Sequence, residues 1–180
     1  DEKLMETYLD KGELSPEDVL KGLKKAIAAR QIYPVFACAG AANIGVQSLC
    51  DRVIDFLPSP VDRSDIEAMV NGQPASLKPS ADGPFAALVF KTISDPYTGR
   101  ISMMRVYSGK MTPDGTALNP GKETEEKFAG FFFLQGKEQI AAGMAVAGDI
   151  LATAKLKATT TGDTLAAKGS GIVIPPIKFA

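Results

Sequence analysis

Three observations predict an α+β chain, helical in its first third and folded as an antiparallel β-barrel in its second half. Apolar residues recur at helical spacing up to residue 57 and at strand spacing from residue 85 onward. Turn residues then punctuate the chain to its end, the pattern of a barrel that closes to remove exposed edges. With 180 residues, 45% hydrophobic and 23% charged, the chain can build a core without disulfide staples.

Residues 1–57 read as helix, helix, short strand, helix. Leu4, Met5, Tyr8 and Leu9 make a first apolar stripe, which Gly12 ends. The second helix has a full start signal: Ser15 as N-cap, Pro16 at the first helical position, and Glu17 and Asp18 where the helix dipole favours acids. Leu20, Leu23 and Ile27 repeat on one face, with Lys21, Lys24 and Lys25 on a solvated one. The apolar run 32–37 then reads as a parallel-type strand, followed by the small-residue loop 38–43 and a helix with Val46, Leu49, Cys50, Val53, Ile54 and Leu57 in register. A lone strand cannot satisfy its own backbone, so 32–37 is expected to be covered by residues 1–30, disordered, or paired with a second copy.

Pro58-Ser59-Pro60 stops the third helix, and 61–82, with Asn71-Gly72 and a polar stretch around Lys78, reads as a connector. Phe85–Ile93 and Arg100–Ser108 are strands joined through Asp95-Pro96-Tyr97-Thr98-Gly99. Pro113-Asp114-Gly115 marks another turn. Further strands are expected at 128–134 and 145–156, and a short last one after Thr161-Gly162-Asp163.

Charge is uneven along this order. Residues 1–82 carry 9 positive and 13 negative side chains, −4, and residues 83–180 carry 11 and 8, +3. That excess is too slight to announce a nucleic-acid partner by charge alone. The absence of histidine removes His bases, His-based triads and His-ligated metals in this chain. Cys38 and Cys50, twelve apart and in no metal-ligand pattern, read as buried structural thiols, consistent with a reducing setting. No apolar stretch reaches the length of a membrane helix.

Few motifs carry chemistry. Gly130–Lys137 fails as a phosphate loop, because Gln135 stands where the second glycine belongs and Glu138 where a Ser or Thr must bind Mg²⁺. Glu125, Glu126, Asp149 and Asp163 read as ordinary exposed acids, not an acid/base pair. Of Phe131, Phe132 and Phe133 at least one must point inward, which favours core over a base-stacking platform. The loop 38–43 lies where a parallel sheet binds ligands, and close strand–helix packing explains its small residues equally well.

A string of short motifs decides between these readings. Tyr33-Pro34-Val35-Phe36, Asn43-Ile44-Gly45-Val46-Gln47, Asp55–Pro60, Phe90-Lys91, Asp95–Arg100, Arg105–Gly109, Ala147–Ile150 and Thr159–Leu165 stand in the order found in translation elongation factor G, and the chain resembles that family over nearly its whole length. Leu134-Gln135-Gly136-Lys137 is more similar to the elongation-factor-G-like paralogues. The match is weakest over 62–82 and 116–127.

The resemblance implies that 1–60 is the end of a P-loop GTP-binding domain, 61–82 a linker, and 83–180 the translation-factor β-barrel called domain II. The chain would then be a middle portion of a longer GTPase, without catalytic residues of its own, as an opening on Asp1 also suggests. Ala39, Gly40 and Ala41 align with the guanine-side motif, where backbone contact to the base is retained and a serine hydroxyl is not. GTP or GDP with Mg²⁺ belongs to the parent protein, with no cofactor in this segment. The implied partners are the remainder of the GTPase and the small-subunit rRNA of the ribosome, in the cytoplasm and away from membranes. Arg100, Arg105 and Lys110 are the candidate phosphate contacts, since Arg offers a fork to phosphate. The competing reading is a self-contained barrel that binds single-stranded nucleic acid.

Overall fold

The computed structural model of the protein describes residues 1–62 and 65–178. Positions 63–64 of the expected connector and 179–180 of the expected barrel lie outside the described residues. The chain forms two compact units, Asp1–Pro58 and Ser59–Ala180.

In the first unit, local signals place three helices. Helix α1 (Glu2–Lys11) starts at Asp1, whose carboxylate accepts the Leu4 N–H, and ends on Gly12 at φ 73°, the left-handed C-cap that glycine adopts without strain. Helix α2 (Pro16–Ala28) is capped by Ser15, whose Oγ accepts the Asp18 N–H at 3.2 Å. Helix α3 (Val46–Phe56) follows a short 3₁₀ turn, Gly40–Ala42, and starts from Gly45.

No residue of the three helices is buried. Their apolar faces leave a shallow groove, in which Leu20, Leu23 and Ile27 of α2 and Phe56 of α3 flank Pro34 and Phe36. The rings of Phe36 and Phe56 stack at 6.5 Å.

Two expectations are corrected in this unit. Segment 32–37 is not a strand, because no neighbouring strand in the unit supplies a ladder and Pro34 has no N–H to give one. It lines the groove without being covered there: Val35, one of the lining residues, is 92% exposed. Cys38 and Cys50 are exposed thiols, not buried ones, since no residue of the loop 38–43 or of α3 is buried within this unit.

The second unit is almost entirely antiparallel sheet. Strands β1 (Ile66–Val70) and β2 (Gln73–Leu77) form a hairpin whose turn residues Asn71 and Gly72 both have positive φ, 50° and 78°, the conformation an Asn-Gly pair favours. This hairpin occupies the stretch read as a connector. Its strands are five residues long and β2 contains Pro74, so their period was too short to register.

The strands that follow are β3 (Ala86–Asp95), β4 (Gly99–Ser108), β5 (Lys110–Met111), β6 (Thr116–Asn119), β7 (Thr124–Lys127), β8 (Phe131–Gln135), β9 (Glu138–Ala142), β10 (Ala145–Val146), β11 (Ile150–Ala154), β12 (Thr164–Ala166) and β13 (Ile172–Val173). Eight of them make one sheet in the order β7-β6-β12-β3-β4-β11-β8-β9, β10 pairs with β5, and β13 pairs with β1. The single strand expected at 145–156 is divided in two. Gly148, at φ 102°, makes the break, and Asp149 Oδ2 accepts the Val146 N–H across it at 2.8 Å.

Alternation along β3 explains how one strand serves two cores. Ala87 and Val89 enter the main cluster with Phe85, Met104, Phe128, Leu151 and Leu165. Ala86 and Leu88, on the opposite face, pack with Ala68, Leu77, Ile172 and Ile174 around the β1–β2 hairpin. The run 86–89 is therefore buried on both faces and reads as continuously apolar. Ala117 of β6 and Ala142 of β9, near opposite ends of the strand order, meet in the same main cluster, so the sheet curls around one interior.

Candidate nucleic-acid interface

One end of the curled sheet gathers cations, an exposed aromatic ring and a loop held from inside. The β3–β4 turn is set by Asp95, whose Oδ1 accepts the N–H of Tyr97 at 2.9 Å and of Thr98 at 2.6 Å. Those N–H groups, Thr98 first and Tyr97 second, hold the Asp95 carboxyl below its ordinary pKa. Tyr97 stands at the tip, 98% exposed. Gly99 leaves the turn at φ 81° as the first residue of β4, and Arg100 follows it.

Arg100 Nη2 donates to the carbonyls of Leu156 at 2.7 Å and Lys157 at 3.1 Å, and the Lys155 N–H donates to the Arg100 carbonyl. The turn and the segment after β11 are thereby tied together. Lys155 breaks the strand at φ 63°. Along 155–157 the pattern is exposed, buried, exposed, so Leu156 enters the core while Lys155 and Lys157 stay in solvent. Among the described residues, Arg100, Lys155 and Lys157 form no ion pair.

The loop is shaped by Glu126, fully buried on β7. Its Oε2 accepts the Lys157 N–H at 2.7 Å, and its Oε1 accepts the N–H groups of Ala158 and Thr159 and the Thr159 hydroxyl, each at 2.8 Å. Three successive backbone donors thus wrap an internal anion. Burial raises the carboxyl's pKa, but the donors from Lys157, Ala158 and Thr159 outweigh it and hold the pKa below the ordinary value.

A second carboxylate continues the network. Asp163 Oδ2 pairs with Lys122 Nζ at 2.8 Å and accepts from Asn119 Nδ2 at 3.0 Å and from the Thr160 N–H at 2.8 Å. Desolvation opposes ionisation here also, and the Lys122 ammonium, the Thr160 N–H and the Asn119 amide overcome it. Lys122 Nζ also donates to the Ala158 carbonyl and the Thr160 hydroxyl.

The structure does not bring the candidate residues together. Arg100 lies at the end just described. Arg105, five positions along the same strand, points to the opposite face. Its guanidinium carbon lies 5.4 Å from the Tyr107 ring centroid, in a groove lined by Pro60, Asp65, Ile66 and Pro79. Lys110 is exposed on β5, opposite Val146. Ala39, Gly40 and Ala41 belong to the other unit. There the Ala39 and Ile44 N–H groups bond each other's carbonyls, leaving Gly40 and Ala41 exposed on the outside of the turn.

Glu126, read from sequence as an exposed acid, is an internal anchor, and Asp163 and Asp149 are likewise engaged in hydrogen bonds. Phe131 is buried, Phe132 half-buried and Phe133 37% exposed, so the aromatic run is mainly core. Tyr97, Lys155 and Lys157 are functional candidates beyond those the sequence predicts. The alternation Lys155-Leu156-Lys157 was the available signal. Among the described residues no group of three or more Asp, Glu and Cys side chains is placed to hold a metal ion, and no helix is long and apolar enough to cross a membrane.

Known proteins resemble the chain over most of its length. A family model described as elongation factor G domain 2 matches residues 84–168. Elongation factor G 2 of Syntrophomonas wolfei is 37% identical over 181 aligned positions, covering 99% of this chain and 26% of that protein. Elongation factor G of Orientia tsutsugamushi (strain Ikeda) is 38% identical, with the same coverage. A crystal structure of a Thermus thermophilus protein superposes with a TM-score of 0.71 at 28% identity, covering 92% of this chain and 22% of that one. The chain spans about a quarter of the length of the curated relatives it matches.

Proposed function

Because the chain belongs to the elongation factor G family, with residues 84–168 forming its domain 2, we propose that its second unit is a ribosome-docking barrel that couples the nucleotide state of a longer translational GTPase to contact with small-subunit rRNA. The observation that carries the reading is the unpaired cationic end, Arg100, Lys155 and Lys157, beside the exposed Tyr97 ring, on a sheet matched by that family. Lysines supply point charges for phosphates, and an exposed aromatic offers a flat face to an unpaired base. Arg105 and Lys110 serve as further phosphate contacts from other faces.

Hydrolysis of GTP with Mg²⁺ is work for the longer cytoplasmic protein. The Gly40–Ala41 turn, free of side-chain bulk, fits backbone contact to a guanine base there. The open groove of the first unit is the face that the rest of a GTP-binding domain would cover. In the isolated chain the same face, with Val35 and Phe36, is expected to pair with a second copy. Sedimentation at rising concentration reads this, and a monomer throughout would count against it.

Docking is tested by titrating the 180-residue chain with purified small ribosomal subunits at several salt concentrations. Lys155→Ala and Lys157→Ala are each expected to weaken binding and lower the slope of log affinity against log salt by about one. Unchanged slopes in both variants would remove this end of the barrel from the interface. Equal affinity for an unrelated single-stranded oligonucleotide would favour the self-contained nucleic-acid module instead.

A further inference from the structure

We propose that Glu126 is a positioning residue for the RNA-facing end of the barrel: its buried carboxylate folds loop 155–160 so that Lys155 and Lys157 stand outward beside Arg100 as one preformed cationic face. The inference rests on the docking reading above and adds to it the device that shapes the contact surface.

The geometry separates this role from ordinary structural support. Among the described residues Glu126 forms no ion pair, and its four hydrogen bonds all come from donors of the one loop: the N–H groups of Lys157, Ala158 and Thr159 and the Thr159 hydroxyl. That loop contains no regular strand, so the carboxylate supplies what a ladder would have supplied. Around it Arg100 holds the Leu156 and Lys157 carbonyls, and Lys122 holds that of Ala158. The loop's N–H groups are thus gathered inward by an anion while its carbonyls are gathered by cations. A loop ordered in advance forgoes the entropy cost of being ordered on contact with RNA.

Electrostatics alone and the positioning role make opposite predictions for Glu126→Gln. The substitution removes one negative charge close to the docking face and leaves every lysine and arginine in place. Long-range attraction to RNA should therefore rise. Loss of the template should instead free the loop, weaken binding and lower the salt slope, because Lys155 and Lys157 no longer act together.

The experiment uses the 180-residue chain and purified small ribosomal subunits, with hydrogen exchange of the loop amides measured alongside. The expected result for Glu126→Gln is fast exchange at Lys157, Ala158 and Thr159, retained protection of β3 and β4, and weaker binding with a slope reduced by about one to two. Binding equal to or tighter than the parent chain, with the loop amides exchanging fast, would overturn the proposal. If Glu126→Gln does not fold, Thr159→Val, which removes only the hydroxyl contacts to Glu126 and Asn119, is read by the same two criteria. Failure of the parent chain to bind the subunits at all would overturn the docking reading, and the positioning role with it. Parent binding with no loss in either variant overturns the positioning role alone.

Discussion

Gly109→Ala is expected to cost the second unit about 3 kcal/mol or more, a fall in melting temperature of roughly 10 °C. Gly109 joins β4 to β5 at φ 73°, where an L side chain is strained. A Cβ there would also stand 2.4 Å from the Phe85 nitrogen and 2.7 Å from the Gly83 carbonyl oxygen. Both obstacles are backbone, so neither can swing aside as a side chain would. The same junction gives its N–H to the Ser80 carbonyl and its carbonyl to the Ala147 N–H, fixing three segments at once. Gly99→Ala is the control. Its φ is 81°, but nothing lies within 4 Å of the added carbon, so it carries only the conformational cost of about 1 kcal/mol. Urea denaturation of the two variants reads the difference, and equal losses would show that the close approach at Gly109 has no energetic consequence.

The second large effect is at Glu126. Glu126→Ala removes the acceptor of three backbone N–H groups and a hydroxyl, and is expected to cost about 3 kcal/mol, because two buried and two part-buried donors lose their charged acceptor. It also predicts a pH dependence of definite sign. The folded-state pKa of Glu126 lies below its ordinary, unfolded value. The carboxylate therefore contributes stability that is fully present above the unfolded pKa and is lost as pH falls through the folded one. Asp163, also lowered, acts in the same direction. Denaturation midpoints measured from about pH 7 to about pH 3 should fall steeply for the parent chain and less steeply for Glu126→Ala. Parallel curves would mean that the anion at this position is not what the fold depends on.

Much of the architecture was legible because its signals are local. Ser15-Pro16-Glu17-Asp18 starts α2, Gly12 ends α1, and Asp95–Gly99 turns β3 into β4, each within a few residues of the structure it controls. The order of short motifs from Tyr33 to Leu165 likewise carried the family, since each motif is contiguous in the chain. The hairpin at 66–77 is not legible in the sequence for the converse reason. Its strands are short, and their burial depends on Ile172 and Ile174, about a hundred residues away in sequence.

The candidate site was only partly legible. Arg100 was identified beside its turn, yet its bonds to the Leu156 and Lys157 carbonyls, 56 and 57 positions on, are invisible in sequence. Arg105 and Lys110 look like companions of Arg100 when written in a line, but strand alternation sends Arg105 to the opposite face and β5 carries Lys110 elsewhere.

By itself the sequence determined the helix caps, the change of period, the turns and the family, because these are properties of neighbouring residues. Only the tertiary structure decided that 32–37 forms no strand, that Cys38 and Cys50 face solvent, and that Glu126 is an internal anchor. The physical reason is that burial and hydrogen bonding of a charge depend on which distant backbone donors the fold brings to it, here those 31 to 33 residues further along the chain.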